Sequence, residues 1–298
     1  ELFVTRLPFI ISSMSSTAFT SQLDEKSLAA FSVASKKPFS EQAQFFLNAF
    51  WDEFGDQSEC IYSVAFEIIK IADRRWRNIT YVHMYEEGND LDFDMALYLF
   101  EQLGKFFDDD NSKVIPGLKG TQWKAQYPKS VPAEMTAVHR KKELRDKVDV
   151  NFDGRVSFLE YLLYQYNASP KDLMDRQTVT GLPAEVLAAM AALDEVNKRV
   201  QAYEAEKARL EDIAANGSGI ASPRAKNELA QLVSGPLWEQ INKALITAEA
   251  ALRLAKKKYG VNGTATEGSS GGAVRTNGTM WWLERALKEK KEKYGPRK

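Results

Sequence analysis

Residues 149–160 read DVNFDGRVSFLE, and their oxygen donors fall where a twelve-residue calcium loop needs them. Asp149, Asn151 and Asp153 hold positions 1, 3 and 5, and Gly154 at position 6 permits the sharp turn. Arg155 at position 7 has to offer only its backbone carbonyl, so its charge is tolerated. Ser157 ligates directly or through water, and Glu160 at position 12 can bind through both carboxylate oxygens. Such a set of hard oxygens, one residue bidentate, suits calcium, whereas magnesium would be cramped. The expected cofactor is therefore Ca2+, held by Asp149, Asn151, Asp153, Arg155, Ser157 and Glu160, with Kd on the order of 10⁻⁷–10⁻⁵ M.

Helices must position that loop on both sides. The stretch 133–148 is helical in pattern with Leu144 and Val148 on one face, and 158–166 continues as an apolar helix. Calcium loops of this EF-hand kind work in pairs joined by a short two-stranded contact. In EGNDLDFDMALYLF, Leu91, Asp92 and Phe93 align with Val156, Ser157 and Phe158. Met95 then stands where Glu160 stands, and Met84 holds position 1; a thioether does not serve calcium. The segment near 84–95 reads either as a degenerate partner that pairs without metal or as an ordinary acidic helix start. The run 108–111 lacks the glycine and the glutamate and is rejected as a loop.

Little else in the chain carries chemistry. His83 and His139 are its two histidines, with no nucleophile beside them in sequence, and neither a glycine-rich phosphate loop nor a cysteine cluster occurs. The chain is not expected to be an enzyme. Cys60 is the one cysteine, which excludes an intrachain disulfide and suits a reducing compartment.

A length of 298 residues suggests two domains, and 44% hydrophobic with 27% charged residues is ordinary for a globular protein. The net charge of −1 hides an asymmetry. Segment 86–110 carries nine acids against Lys105, segment 224–259 seven bases against three acids, and the tail 284–298 is also net basic. Either these are two solvated surfaces of opposite sign, or 86–110 touches 224–259, or the basic surface meets an acidic partner.

Apolar periodicity makes the chain all-α. We expect a flexible arm over 1–20, whose apolar start is interrupted by Arg6 and Pro8, is too short to span a membrane, and reads as a trimmed end. An EF-hand helical domain then covers 21–170, with helices at 39–54 (N-capped at Ser40), 58–72 (N-capped at Ser58) and 94–107, and a loop through most of 108–132. A break at 167–183 carries Pro170, Gly181 and Pro183. The C-terminal domain, 183–298, is expected to be an elongated three-helix bundle. Its first helix, 183–213, shows a heptad seam at Val196, Val200, Tyr203, Lys207 and Leu210, read as intramolecular core or as a coiled coil with another chain. Its second, 223–259, is expected to kink at Pro236. A Gly/Ser/Thr-rich linker at 260–279 precedes a last helix, 280–294.

The blocks KPFSEQAQFFLNAFW (37–51), EEGNDLDFDMALYLFEQL (86–103), KVDVNFDGRVSFLEYLLYQY (147–166), EVNKRVQAYEAEKARL (195–210), SGPLWEQINKALITAEAALRLAKKKYG (234–260) and MWWLERALKEKKEKYGP (280–296) resemble the calcium-regulated actin-bundling proteins of the 34 kDa class, in the same order and from about residue 18 to the end; this chain weighs 33.6 kDa. The resemblance implies a cytoplasmic, cytoskeletal protein that cross-links F-actin into bundles, with calcium weakening that activity; from the residues we expect calcium at 149–160 to act by reorienting the flanking helices and altering contacts between the two domains. It also implies an actin site on the block 227–255. We single out Pro236, Trp238, Lys243, Ile246, Arg253, Lys256, Lys257 and Lys258 as its candidate contacts, since a basic helix suits an acidic polymer. Neither a nucleic acid nor a membrane is expected as partner. The alternative is a calcium-sensor adaptor whose rod recruits a partner other than actin.

Overall fold

The computed structural model describes residues 23–176, 181–259 and 275–296, the Val82 side chain excepted. The expected arm at 1–20 and most of the expected 260–279 linker lie outside the described residues.

The N-terminal half is built from short helices whose starts are set by local caps. α1 (Glu25–Ser35) begins at Asp24, whose side chain accepts the Ser27 N–H at 2.7 Å. α2 (Phe39–Ala49) begins after Pro38, so Ser40 lies inside its first turn rather than capping it, and the Ser40 N–H donates to Glu87 at 3.1 Å. A kink at Phe50 separates α2 from the single turn α3 (Trp51–Phe54). α4 (Ser58–Cys60) runs through a π-helical turn, Ile61–Ala65, into α5 (Phe66–Trp76). Gln57, not Ser58, is the N-cap of α4; the Ser58 hydroxyl instead donates to the Gly55 carbonyl at 2.7 Å.

β1 (Asp90–Leu91) leads into α6 (Phe93–Asp108), where Asp92 caps by accepting the Met95 N–H at 2.7 Å. α6 buries Leu99, Phe100, Leu103, Phe106 and Phe107, a stripe at helical spacing. The region expected to be loop holds the short helix α7 (Gly120–Gln126). α8 (Ala137–Glu143) starts at Thr136 and continues as a π-helical turn, Leu144–Val148, into the candidate loop. β2 (Val156–Ser157), α9 (Phe158–Gln165) and α10 (Pro170–Arg176) complete this half.

The C-terminal half is a helical bundle. α11 (Ala184–Asn216) buries Val186, Ala189, Leu193, Val196, Val200, Tyr203 and Leu210, and packs along α12 (Ala221–Leu232) and α13 (Pro236–Tyr259). The heptad seam is thus satisfied within the chain. The kink expected at Pro236 is a full break: α12 ends at Leu232, Ser234 and Gly235 close tight turns onto Gln231 and Leu232, and Pro236 opens a new helix. Proline is tolerated at a first helical position because its missing N–H would have had no partner there.

α14 (Asn277–Tyr294) packs on α13 and equally on α2. Trp282 lies edge-on to Tyr62 and Phe66, with ring centroids 4.8 and 5.1 Å apart, and one continuous apolar core runs through both halves.

Candidate functional site

Glu160, the last residue of the twelve, stands in the first turn of α9 and is 1% exposed. Its Oε1 accepts the Val150 N–H at 2.9 Å, and its Oε2 accepts the N–H and the hydroxyl of Ser157, both at 2.8 Å. Ser157 Oγ accepts the Glu160 N–H at 3.2 Å, closing a capping box. At the other end, Asp149 is buried and accepts the N–H groups of Asp153 and Gly154 at 3.1 and 3.0 Å. Asn151 accepts from Asp153 at 3.2 Å and Asp153 from Arg155 at 2.9 Å. The turn these bonds close needs left-handed backbone, with φ of 74° at Gly154 and 58° at Phe152.

Among the described residues no Lys or Arg pairs with Asp149 or Glu160. Burial accordingly pushes the Glu160 carboxyl up to about 8 and raises that of Asp149 from its ordinary value. Two buried carboxylates without a counter-charge, beside amide, hydroxyl and carbonyl oxygens in a left-handed turn, fit a hard divalent cation. Among the described residues no group of three or more His, Cys, Asp and Glu is drawn together tightly enough to hold a metal. The geometry gives the reason: Glu160 faces Ser157 and Val150, and three of the six expected donors are an amide, a hydroxyl and a carbonyl.

Part of the 84–95 segment lies beside the loop. β1 pairs with β2 antiparallel, Leu91 opposite Val156 and Asp90 opposite Ser157. Arg155 donates to Asp90 at 2.6 Å and lies over the Trp76 ring, 4.8 Å from its centroid. Met95 sits inside α6, and Met84 is exposed at the end of a 3₁₀ turn, Val82–Met84. Buried Asp73 fastens this second loop, accepting from Arg77, Tyr85 and the Gly88 N–H at 2.6, 2.9 and 3.1 Å.

Gln42 ties both loops to α2. Fully buried, it accepts the Leu159 N–H at 2.8 Å and donates to the Asn89 carbonyl at 2.7 Å. Six residues further along α2, Asn48 exchanges two hydrogen bonds of 2.9 Å with Thr279 on α14. Gly278 lies so close that a Cβ there would meet the Leu47 Cβ at 2.5 Å and the Asn48 nitrogen at 2.6 Å. Arg285 of α14 reaches Glu59 at 2.9 Å, and the Tyr62 hydroxyl donates to Glu289 at 3.0 Å. α14 therefore stands between the loop-bearing half and α13.

The outer face of α13 exposes Lys243, Ile246, Ala250, Arg253, Leu254 and Lys257, with Ile246 and Leu254 70% and 65% exposed. The expected contacts divide on this face. Lys243, Ile246 and Lys257 are exposed; Arg253 is exposed beside Glu249 at 3.6 Å; Pro236 is exposed at the helix start. Lys256 pairs with Glu284, and Lys258 reaches Glu185 at 2.5 Å. Trp238, another of the expected contacts, is half-buried between Tyr203 and Tyr294, with centroids 5.5 and 6.3 Å away.

Of the three readings of the charge asymmetry, a contact between 86–110 and 224–259 finds no ion pair among the described residues. Asp90, Asp94 and Asp108 pair with Arg155, Lys141 and Lys124, all in the N-terminal half. The seam between the halves runs instead through α2 and α14, with a second tie where Gln201 of α11 donates to the His83 carbonyl at 2.9 Å. Gln42, Asp73 and the Asn48–Thr279 pair escaped the sequence reading. Their one signal was a polar residue at a helical position otherwise owed to the core, as with Gln42 in FSEQAQFF.

With the geometry in place, three likenesses bear on it. A family model described as F actin bundling C terminal matches residues 155–294. A calcium-regulated actin-bundling protein of Dictyostelium discoideum is 49% identical over 285 residues, covering 94% of this chain and 93% of that protein. The crystal structure of the 34 kDa F-actin bundling protein from the same organism superposes with a TM-score of 0.81 at 48% identity, covering 92% of this chain and 99% of the other.

Proposed function

The chain belongs to the family of calcium-regulated actin-bundling proteins, and we propose from this, together with its geometry, that it binds and cross-links F-actin filaments and that calcium at 149–160 weakens the cross-linking. The role is that of a cytoskeletal binding protein, not an enzyme. No described helix is long and apolar enough to cross a membrane.

The observation that carries the calcium half of the proposal is Gln42, which joins the end of the loop to the helix that seats α14. Asp149, Asn151, Asp153, Ser157, Glu160 and the Arg155 carbonyl would hold the ion, which supplies the positive charge that the two buried carboxylates lack. The 84–95 segment serves as their structural partner through Leu91 and Val156.

The rest follows from the chain itself. Glu160 lies in the first turn of α9, next to Leu159, so a change in how Glu160 is held shifts the Leu159 N–H. Gln42 cannot follow that shift without also moving against Asn89, because one amide spans both loops. α2 passes the displacement to α14 through Asn48 and Thr279, and α14 passes it to the α11–α13 pair that presents the exposed face. The docking residues on that face are Lys243, Ile246, Arg253, Leu254 and Lys257, a basic and apolar combination that suits an acidic filament surface. Trp238 holds the bundle together rather than touching the filament, and Pro236 shapes the start of α13. The division into 21–170 and 183–298 fits this picture, with α14 as the shared element.

Cosedimentation with purified filaments tests the proposal: binding at high speed, bundling at low speed, each with and without calcium. Failure to pellet with filaments at high speed would exclude actin and leave a non-actin partner for the bundle.

A further inference from the structure

Bundling requires at least two filament contacts per particle, or a pair of particles, and the α13 face supplies one. The other half of the chain carries a second exposed basic surface. Segment 111–147 holds nine Lys and Arg against three Asp and Glu, a stronger bias than in 224–259. Four of these nine cations have structural duties. Arg140 is buried over the Phe100 ring, 4.2 Å from its centroid, Lys124 and Lys141 hold Asp108 and Asp94, and Lys147 holds Glu143.

Of the remaining five, two lie with an exposed valine on one element: Val138, Lys142 and Arg145. They stand at i, i+4 and i+7 along α8 and its π turn, on the side away from buried Arg140, Leu144 and Val148. Val138 is 81% exposed, the Arg145 side chain is 69% exposed with only its neighbour Asp146 as partner, and Lys142 makes no ion pair among the described residues. α8 packs on α6, whereas α13 packs on α11 and α14, so the α2–α14 seam lies between the two faces.

We propose that this face of α8 is a second filament-docking surface, the one that turns binding into cross-linking; the inference rests on the actin reading above. Charge chooses the occupant. Two exposed cations, Lys142 and the Arg145 that pairs with its neighbour Asp146, beside one projecting aliphatic side chain match an acidic protein surface, and a single valine is too little apolar area to anchor a helix in a bilayer. Because α8 runs through the π turn directly into Asp149, the surface belongs to the element that the 149–160 loop orients.

The test is the full chain carrying Val138→Ser, Lys142→Glu and Arg145→Glu, compared with the unaltered chain by high-speed and low-speed pelleting with filaments. The expected result is high-speed binding within about twofold and low-speed bundling reduced about tenfold or more, as loss of one of two linked contacts requires, with an unchanged melting temperature. The milder pair Lys142→Ala and Arg145→Ala lowers bundling in the same direction and guards against a folding effect. Bundling that persists in both variants overturns the inference, as does a parallel loss of binding and bundling. Flotation of the unaltered chain but not of the variant with phosphatidylserine vesicles, with bundling intact, would make the surface a membrane contact and overturn it too. If the unaltered chain itself fails to pellet at high speed, the actin reading fails first and visibly.

Discussion

The side-chain oxygen of Gln42 accepts the backbone N–H of Leu159 at 2.8 Å, across 117 positions of sequence. The same side chain donates to the Asn89 carbonyl at 2.7 Å, so one buried amide closes both loops onto α2. Gln42→Leu keeps the volume and removes these bonds. With the Leu159 N–H left buried and the Asn89 carbonyl left part-buried, both without their Gln42 partner, chemical denaturation should report a loss of about 2 kcal/mol or more. If α2 is the lever, low-speed pelleting of the variant should also respond less to calcium than that of the unaltered chain.

Gly278 and Leu47 fix the approach of α14 to α2. A methyl at Gly278 would meet the Leu47 Cβ at 2.5 Å, with backbone rather than flexible side chain close behind. Gly278→Ala should therefore destabilise by about 1–3 kcal/mol through overpacking, read as a lowered melting temperature. Asn48→Ala, which breaks the pair with Thr279 without adding bulk, should lower it less.

Much of this was legible in the sequence, and what was not has a physical reason. The 149–160 loop and the α11 seam were readable because each imposes fixed spacing on residue type: oxygens at alternating positions, apolar residues at steps of three and four. Pro236 was readable as a disturbance but not as a break, because only Gly235 and the tight turns before it decide between the two. Ser40 and Ser58 looked like caps because serine caps helices, yet Pro38 and Gln57 start those helices. The acidic 86–110 segment suggested a long-range partner, although Asp108, Asp94 and Asp90 pair with Lys124, Lys141 and Arg155 of the same half. The role of α14 as a shared helix was hidden, because its packing on α2 joins residues more than two hundred positions apart.

On α13, Ile246 and Arg253 lie on the exposed face and contribute nothing to the core. Ile246→Asp combined with Arg253→Glu should weaken filament affinity about tenfold, equivalent to about 1.4 kcal/mol, measured by high-speed pelleting. The melting temperature should stay within a degree or two of the unaltered value, since exposed substitutions of this kind leave stability nearly unchanged. Trp238→Ala should do the reverse, lowering the melting temperature because Tyr203 and Tyr294 lose their packing partner.

Burial pushes the Cys60 thiol up to about 12, and the side chain is nearly inaccessible. The thiolate is the reactive form, so at pH 8 only about one part in ten thousand is available for attack. A disulfide reagent such as DTNB should leave the native protein unlabelled for as long as it stays folded and react with one thiol per chain in urea. Rapid labelling of the native protein would mean that the α4 region opens far more readily than its packing indicates.

The most direct measurement compares the unaltered chain with Glu160→Gln in low-speed filament pelleting, with and without calcium. Gln retains a side-chain carbonyl that can accept the Val150 N–H but removes the carboxylate at the twelfth loop position. The expected result is strong bundling by both proteins without calcium, a marked fall on adding calcium to the unaltered chain, and no fall for the variant. A variant whose bundling drops with calcium as steeply as that of the unaltered chain would contradict the assignment of the calcium switch to residues 149–160.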